Sequence, residues 1–277
     1  MNLLQKNWIA GFIDGDGSLA LEREGNFYRP SLSISQNDYQ LLLKIKEYFG
    51  CGTVTQKDSK SWHYRCRSAE QFQEFIIPRL GKAPFQTIKQ FQYELICEKA
   101  LPILINNSQK NRQDILDLDN IIKQIKESRN NSNYVNSNQP IDFMWFLGFF
   151  EAEGNFYLSI RNSYVSSDSN QMNIRIAFKV TQKNKLLLEK IKCFFNFGKV
   201  QSEGYVRNIW KYNVEGITNV TNHGFSIFRT NPLNGKKNLQ RIKFLIAIRT
   251  ISKGEHKTEN GLLKLKKLET DMQKLRS

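Results

Sequence analysis

Ile9-Ala10-Gly11-Phe12-Ile13-Asp14-Gly15-Asp16-Gly17 and Phe146-Leu147-Gly148-Phe149-Phe150-Glu151-Ala152-Glu153-Gly154 are one short pattern written twice. Each is an apolar run, interrupted by one glycine and closed by acid, small residue, acid, glycine. The runs Trp8 to Ile13 and Trp145 to Phe150 are too apolar for an exposed surface, which predicts two buried helices. Gly11 and Gly148 each weaken a helix interior by about 1 kcal/mol relative to alanine. Close approach of two backbones at a helix crossing is the compensation. Two such helices from equivalent halves pack on a pseudo-twofold axis, and Asp16 and Glu153 then emerge side by side.

The repeat continues downstream of the two acids. The motifs are offset by 154 − 17 = 137 residues. Ser33-Ile34-Ser35-Gln36, with the leucine-rich run from Leu41, matches Lys179-Val180-Thr181-Gln182 and the run from Leu186, at 182 − 36 = 146. The difference of nine fits the polar stretch Ser163 to Asn170, read as a longer hairpin loop in the second copy. Gly52-Thr53-Val54 matches Gly198-Lys199-Val200, and Trp62-His63-Tyr64 matches Trp210-Lys211-Tyr212. A duplication over most of the chain follows. The division is an N-terminal half at 1–127, a polar linker at 128–140 and a C-terminal half at 141–277, each reading helix, hairpin, helix, hairpin, helices.

Within the hairpins the pattern has period two. Phe156, Leu158 and Ile160, then Ile174, Ile176, Phe178 and Val180, alternate with polar residues, as do Leu19, Leu21, Leu32 and Ile34. One face is core and the other polar. Alternation alone does not separate a solvent face from a binding face. The base-reading side chains on it, and Lys+Arg 41 against Asp+Glu 26 for a formal charge of +15, favour a face turned to DNA over that of a merely basic protein. The helical spacings Gln86 to Leu101, Asp114 to Ile125, Leu239 to Ile251 and Gly261 to Leu275 supply helices to cover the apolar side.

No apolar run is long enough to span a membrane, so no membrane partner is expected. The N-terminal residues read as neither signal nor transit peptide, which implies a protein acting where it is made. The Asn-, Lys- and Ile-rich composition points to an AT-rich genome such as that of a chloroplast or mitochondrion. Cys51, Cys66, Cys97 and Cys193 lack metal spacing and read as reduced thiols.

Two carboxylates converging beside a cationic sheet suit a hard divalent cation, which takes oxygen ligands and keeps several waters. Near a phosphodiester, such ions stabilise both the attacking water and the leaving oxygen. Asp14 and Glu151, nearer the helix interior, are expected to hydrogen-bond locally and fix the turn.

These two segments, the Gln closing the second strand of each half, and the basic segment after each second hairpin resemble the LAGLIDADG homing endonucleases in their single-chain, two-motif form, across residues 7 to 275. The resemblance implies an α+β fold: a pseudo-twofold duplication of an αββαββα half, with two antiparallel saddle-shaped sheets that straddle DNA and helices on their outer face. It implies a monomeric, Mg²⁺-dependent enzyme that makes double-strand cuts at a long asymmetric site in intron homing, with Mn²⁺ or Ca²⁺ able to substitute in binding. By the same resemblance Asp16 and Glu153 are metal-binding catalytic acids, with the carbonyls of Gly15 and Ala152 as further ligands. Gln36 and Gln182 correspond to water-ordering residues. Lys89 (or, more weakly, Lys82) and Lys237 (or its neighbour Lys236) correspond to the basic residue near the cleaved phosphates. The Arg that some members carry four positions after the Gln is Gln40 here in one copy and Leu186 in the other.

Family geometry and alternation agree on the DNA-facing side chains. On the first hairpins these are Ser18, Ala20, Glu22, Arg29, Ser31 and Ser33, then Asn155, Tyr157, Ser159, Arg161, Arg175 and Lys179. On the second hairpins they are Thr53, Thr55, Lys57, His63 and Arg65, then Lys199, Gln201, Lys211 and Asn213. His63 reads equally as a surface histidine. Lys253 and Lys257 suit phosphate contacts, which position without specifying. Double-stranded DNA is the expected partner. An RNA maturase binding intron RNA, and a DNA-binding regulator without catalysis, are the alternatives on the same fold.

Overall fold

Helix α1 (Lys6–Asp16) passes without a loop into strand β1 (Gly17–Glu24), the N–H of Gly17 reaching back to the carbonyl of Ile13. Strand β2 (Phe27–Gln36) returns antiparallel to β1, and α2 (Tyr39–Phe49) follows. Strands β3 (Thr53–Gln56) and β4 (Trp62–Cys66) complete a four-stranded antiparallel sheet in the order β1-β2-β4-β3. Then come helical segments α3 (residues 69–80), α4 (residues 89–106) and α5 (Arg112–Ser128). This is a computed structural model, and it describes residues 4–82, 85–106, 110–131, 133–162, 172–204 and 208–275.

The second copy repeats the order. Helix α6 (Phe143–Glu153) leads into β5 (Gly154–Asn162), then β6 (Met172–Gln182), α7 (Lys185–Phe195), β7 (Lys199–Gly204) and β8 (Ile209–Glu215). These strands form a second antiparallel sheet, β5-β6-β8-β7. Helical segments α8 (residues 217–229), α9 (Lys237–Ser252) and α10 (Glu259–Lys274) close the chain. The duplicated α+β architecture read from the sequence is the one observed. The hairpin insertion expected at Ser163 to Asn170 lies outside the described residues.

Local chemistry explains the recurring elements. Asp38 and Asn184 cap α2 and α7 by accepting from the N–H groups of Leu41 and Leu187. Both helices end on a left-handed residue, Gly50 at φ 68° and Asn196 at φ 57°, the two residue types that adopt it most easily. Both copies also carry a π turn at the matching place, Phe72–Ile76 within α3 and Val220–Gly224 within α8.

The strand registers sort the side chains as the alternation predicts. In the first sheet Leu19 pairs with Leu32, and Ile34 with Tyr64, over Leu41, Leu42, Ile45 and Phe49, all buried. In the second, Phe156 pairs with Phe178, and Phe228 and Phe244 pack edge-on or tilted against them. Helices α5 and α10 lie against β1 and β5. All four cysteines are unlinked thiols, with Cys51 and Cys66 buried, Cys97 half-buried and Cys193 exposed.

The chain divides into two compact units, Met1–Glu153 and Gly154–Ser277. Helix α6 thus packs with the first unit, because its surface is spent on α1. The polar stretch at 128–140 is fastened to that unit as well. Asn136 donates from its backbone to Gln86 O (3.0 Å) and from its amide to Phe85 O (3.1 Å), while the Gln86 side chain donates to Pro140 O (3.1 Å).

The crossing of α1 and α6 is reciprocal. A methyl group on Gly11 would lie closer than 3.0 Å to the carbonyl of Trp145, and one on Gly148 would do the same to the carbonyl of Trp8. Trp8, Phe12, Trp145, Phe146, Phe149 and Phe150 are all buried around this contact. In an exposed helix Gly→Ala stabilises by about 1 kcal/mol. Here the added carbon meets backbone that cannot move aside. Gly11→Ala and Gly148→Ala should therefore each destabilise by about 1–3 kcal/mol or more. Thermal denaturation checks the sign, and a raised Tm in either variant would contradict the close crossing.

Candidate functional site

The acids stand where two buried helices end. Asp16 is the last residue of α1 and Glu153 the last of α6, and each is followed directly by a strand. The last carbonyls of a helix have no intrahelical partner, and the macrodipole makes that end negative. A carboxylate there is disfavoured unless a cation accompanies it. Gly15 and Ala152 face one another: a Cβ on Gly15 would fall on that of Ala152 and 3.1 Å from Glu153 Cγ. The crossing therefore brings together two carboxylates and two helix ends. Among the described residues no cluster of three or more His, Cys, Asp or Glu forms a metal site. The donor set is carboxylate plus carbonyl oxygen, which fits a hard, partly hydrated cation and not zinc.

Lys89, the first residue of α4, answers the negative charge. Its ammonium donates to the carbonyl oxygen of Asp14 (2.7 Å), a last-turn carbonyl of α1. Burial pulls the Lys89 ammonium below the usual lysine range, against the upward pull of Asp14, Glu153 and Asp16. Both expected catalytic acids thus lie within electrostatic reach of one amine. Gln36, at the end of β2, donates its amide directly to Asp16.

Asp14 does not fix a local turn, contrary to the expectation for this position. Its buried carboxylate accepts from Gln86 N (2.7 Å), Thr87 N (3.3 Å), the Thr87 hydroxyl and the indole N–H of Trp145 (2.8 Å). Burial raises its pKa, and Lys89 and these donors oppose the rise. Asp14 ties α1 to α6 and to the segment that introduces Lys89. The recurrence of Trp six residues before the first acid of each motif was the available signal. The two tryptophans are not equivalent, however, since the indole N–H of Trp8 has no acceptor among the described residues.

In the second copy Lys237 opens α9 as Lys89 opens α4. The preceding segments match: Phe85 N–H donates to the side chain of Gln90 (3.2 Å), and Leu233 N–H to that of Asn238 (3.1 Å). Lys237 is half-buried, whereas Lys236 and Lys82 are exposed. Gln182 closes β6, as Gln36 closes β2.

The expected DNA-facing residues share one face in each sheet. Ser18, Ala20 and Glu22 pair with Ser33, Ser31 and Arg29. Ser33 pairs with Arg65 on its other side, and Thr53 and Thr55 pair with Arg65 and His63. Lys57 lies just beyond β3. In the second sheet Asn155, Tyr157 and Ser159 pair with Lys179, Ala177 and Arg175. Asn213 lies between Lys179 and Lys199, and Lys211 between Thr181 and Gln201.

Sharing a face does not make every one accessible. Ser31, Ser159 and Asn213 are buried. Arg161 turns to Glu269 of α10 (3.3 Å) and stands at the sheet margin. Arg67, which the alternation reading passed over, holds Glu22 (2.7 Å) and Glu24 together. Burial, Arg65 and Lys57 keep His63 below its ordinary pKa, so it is neutral near pH 7. On the second face Tyr157, Arg175, Ala177, Lys179, Lys211 and Asn213 line a hollow of about 660 Å³.

The unequal tryptophans give a direct check on the Asp14 bond. Trp145→Phe removes a donor to a buried carboxylate and should cost about 1.5–3 kcal/mol, while Trp8→Phe removes no hydrogen bond and should cost less. Equal losses in urea denaturation would refute the bond's contribution.

The family model described as LAGLIDADG endonuclease matches residues 9–100 and 146–248. A probable intron-encoded endonuclease of Schizosaccharomyces pombe, Cox1-I1b, is 31% identical over 163 residues, covering 54% of this chain and 41% of the relative. Probable intron-encoded endonuclease 4 of Neurospora crassa is 24% identical over 272 residues, covering 97% of this chain and 44% of the relative. This chain thus spans less than half the length of these two curated relatives. The solved structure of I-SmaMI bound to uncleaved DNA target in the presence of calcium ions is 20% identical with TM-score 0.84, over 98% of this chain and 99% of that one. With both acid-tipped motifs and both sheets inside the matched segments, the chain belongs to the LAGLIDADG endonuclease family.

Proposed function

We propose that this chain is a site-specific homing endonuclease that hydrolyses both strands of a long asymmetric DNA target with the help of divalent metal. The observation that carries the reading is the meeting of the two motif ends, half a chain apart, where a Cβ on Gly15 would press on Ala152 and lie 3.1 Å from Glu153 Cγ, beside a Lys89 ammonium bonded to Asp14 O. Their carboxylates and the carbonyls of Gly15 and Ala152 would hold Mg²⁺, and Mn²⁺ or Ca²⁺ can occupy the same oxygen set for binding. When bound, such ions stabilise the attacking and leaving oxygens of phosphodiester hydrolysis.

The chain's own groups complete the work. Gln36 orients the Asp16 carboxylate and, with Gln182, orders water at the periphery of the site. Lys89, pinned to Asp14 O, offers a fixed cation to charge developing on the phosphate, and Lys237 serves the second half in the same way. The polar faces of the sheets read base edges in the major groove, while surrounding lysines and arginines meet phosphates. The calcium-containing DNA complex of the similar I-SmaMI supports both the duplex partner and the divalent ion. The intron-encoded relatives support an intron product, and an origin in an organelle and action as a monomer complete the proposal.

Asp16→Asn and Glu153→Gln should each abolish cleavage of a selected duplex in Mg²⁺ while leaving binding in Ca²⁺ largely intact, because neither acid faces a base. Gel-resolved cutting and equilibrium binding on the same duplex decide this, and wild-type cutting by either variant would remove the acid from the mechanism. Affinity should also fall about a thousandfold or more between roughly 50 and 200 mM salt, as for a protein neutralising six or more phosphates. A flat salt profile would argue against the basic faces as the DNA surface.

A further inference from the structure

Glu203 is an acid on the edge strand of the second sheet, beside a polar face that gathers Arg175, Lys179 and Lys211 and whose other acid, Glu215, is held by Asn213. It lies near the end of β7, where the ladder with β8 slips: Ser202 pairs with Trp210 and Gly204 with Ile209, which leaves Glu203 as the extra residue. Such bulges re-aim a side chain. Here the aim is inward. The Glu203 carboxylate reaches across β8 to strand β6, where it accepts from Lys179 Nζ (2.7 Å) and the Thr181 hydroxyl (3.3 Å). Lys179 is itself flanked in register by Asn155 and Asn213. The hydrogen bond from Lys179, and the nearby charge of Lys211, hold the Glu203 carboxyl below the usual carboxylate range, so it is ionised at neutral pH.

A fixed negative charge against a polyanion is unfavourable unless it is used. In the major groove the hydrogen-bond donors are exocyclic amino groups: N4 of cytosine and N6 of adenine. A carboxylate can accept from these, whereas the O6 and N7 of guanine and the O4 of thymine only accept and would repel it. The matching positions in the first copy hold different chemistry: Lys57 stands where Glu203 does (203 − 57 = 146) and Ser33 where Lys179 does (179 − 33 = 146). We infer that Glu203, held by Lys179 and Thr181, is a specificity-determining residue that accepts a hydrogen bond from an exocyclic amino group of cytosine or adenine in the half-site against the second sheet.

This inference rests on the proposal that the sheets bind duplex DNA. The test is affinity selection from randomised duplexes in Ca²⁺, where no cutting is needed, for wild type, Glu203→Gln and Glu203→Ala, followed by Mg²⁺ cleavage of the selected duplexes by wild type. At one position, or two adjacent ones, the wild-type preference for cytosine or adenine on the contacted strand should drop about tenfold in Glu203→Ala and shift toward adenine in Glu203→Gln, whose amide accepts from N6 and donates to N7, with preferences elsewhere unchanged. Unchanged preferences, with binding merely tighter at every sequence, would mean that the carboxylate only screens Lys179, and the inference falls. A wild type that selects no sequence also overturns it. Selected duplexes that wild type binds but does not cut would sink the nuclease reading while leaving the base preference to be judged by itself.

Discussion

The contact between the backbones of α1 and α6 is the constraint on which the rest depends. Gly11 lies against the carbonyl of Trp145 and Gly148 against that of Trp8, so the helices touch without intervening side chains. That closeness fixes register. A helix slipped by one residue turns by about 100° and moves about 1.5 Å, which would carry Asp16 away from Glu153 and both away from Lys89. The glycines cost helix propensity, and the dense aromatic packing of Trp8, Phe12, Trp145 and Phe149 around them offsets it. The same aromatic surroundings keep water from the helix interiors, so the acids at the ends meet solvent only past the last turn.

Much of this was legible in the residues, for an identifiable reason. Period two distinguishes the faces of a strand, and the registers agree with it at every pairing from Ser18 with Ser33 to Lys179 with Asn213. Alternation assigns a side and not a depth, so the burial of Ser31, Ser159 and Asn213 was invisible to it. Asp14 departs from the local role its position suggests for a related cause. Its partners lie 72, 73 and 131 residues away, and local spacing carries no information about them. The paired π turns were likewise hidden, since the widened turn shifts the apolar stripe by a residue that ordinary helical spacing does not anticipate. The polar stretch at 128–140 has a linker's composition, yet Asn136 fastens it beside Gln86, whose own N–H binds Asp14. Tethering and site support therefore share one short segment.

The charge of the polar faces cannot be taken from the excess of +15. Arg67 is occupied by Glu22 and Glu24, Lys179 by Glu203, and Arg161 by Glu269. Pairs of this kind on partly exposed side chains add little to stability. Their effect is on geometry: each holds a long, flexible side chain in one orientation before a ligand arrives, which lowers the ordering cost of binding. On a face that meets nucleic acid, such pairs would give up some affinity for phosphate in general and gain discrimination among base edges.

The two copies show how the polar faces diverge on a common scaffold. Folding restricts the inner face, where Phe156 and Phe178 or Leu19 and Leu32 must fill the same space against helices, and it restricts the crossing, where a methyl group does not fit. It asks little of the polar face beyond compatibility with a strand. Ser33 and Lys57 in one copy, Lys179 and Glu203 in the other, occupy equivalent stations with opposite chemistry and no cost to the layers beneath. A fused duplication thereby escapes the symmetry that two identical halves would impose on a target. The site between the motifs stays paired because the helix crossing demands it, while the polar faces of the sheets are free to differ.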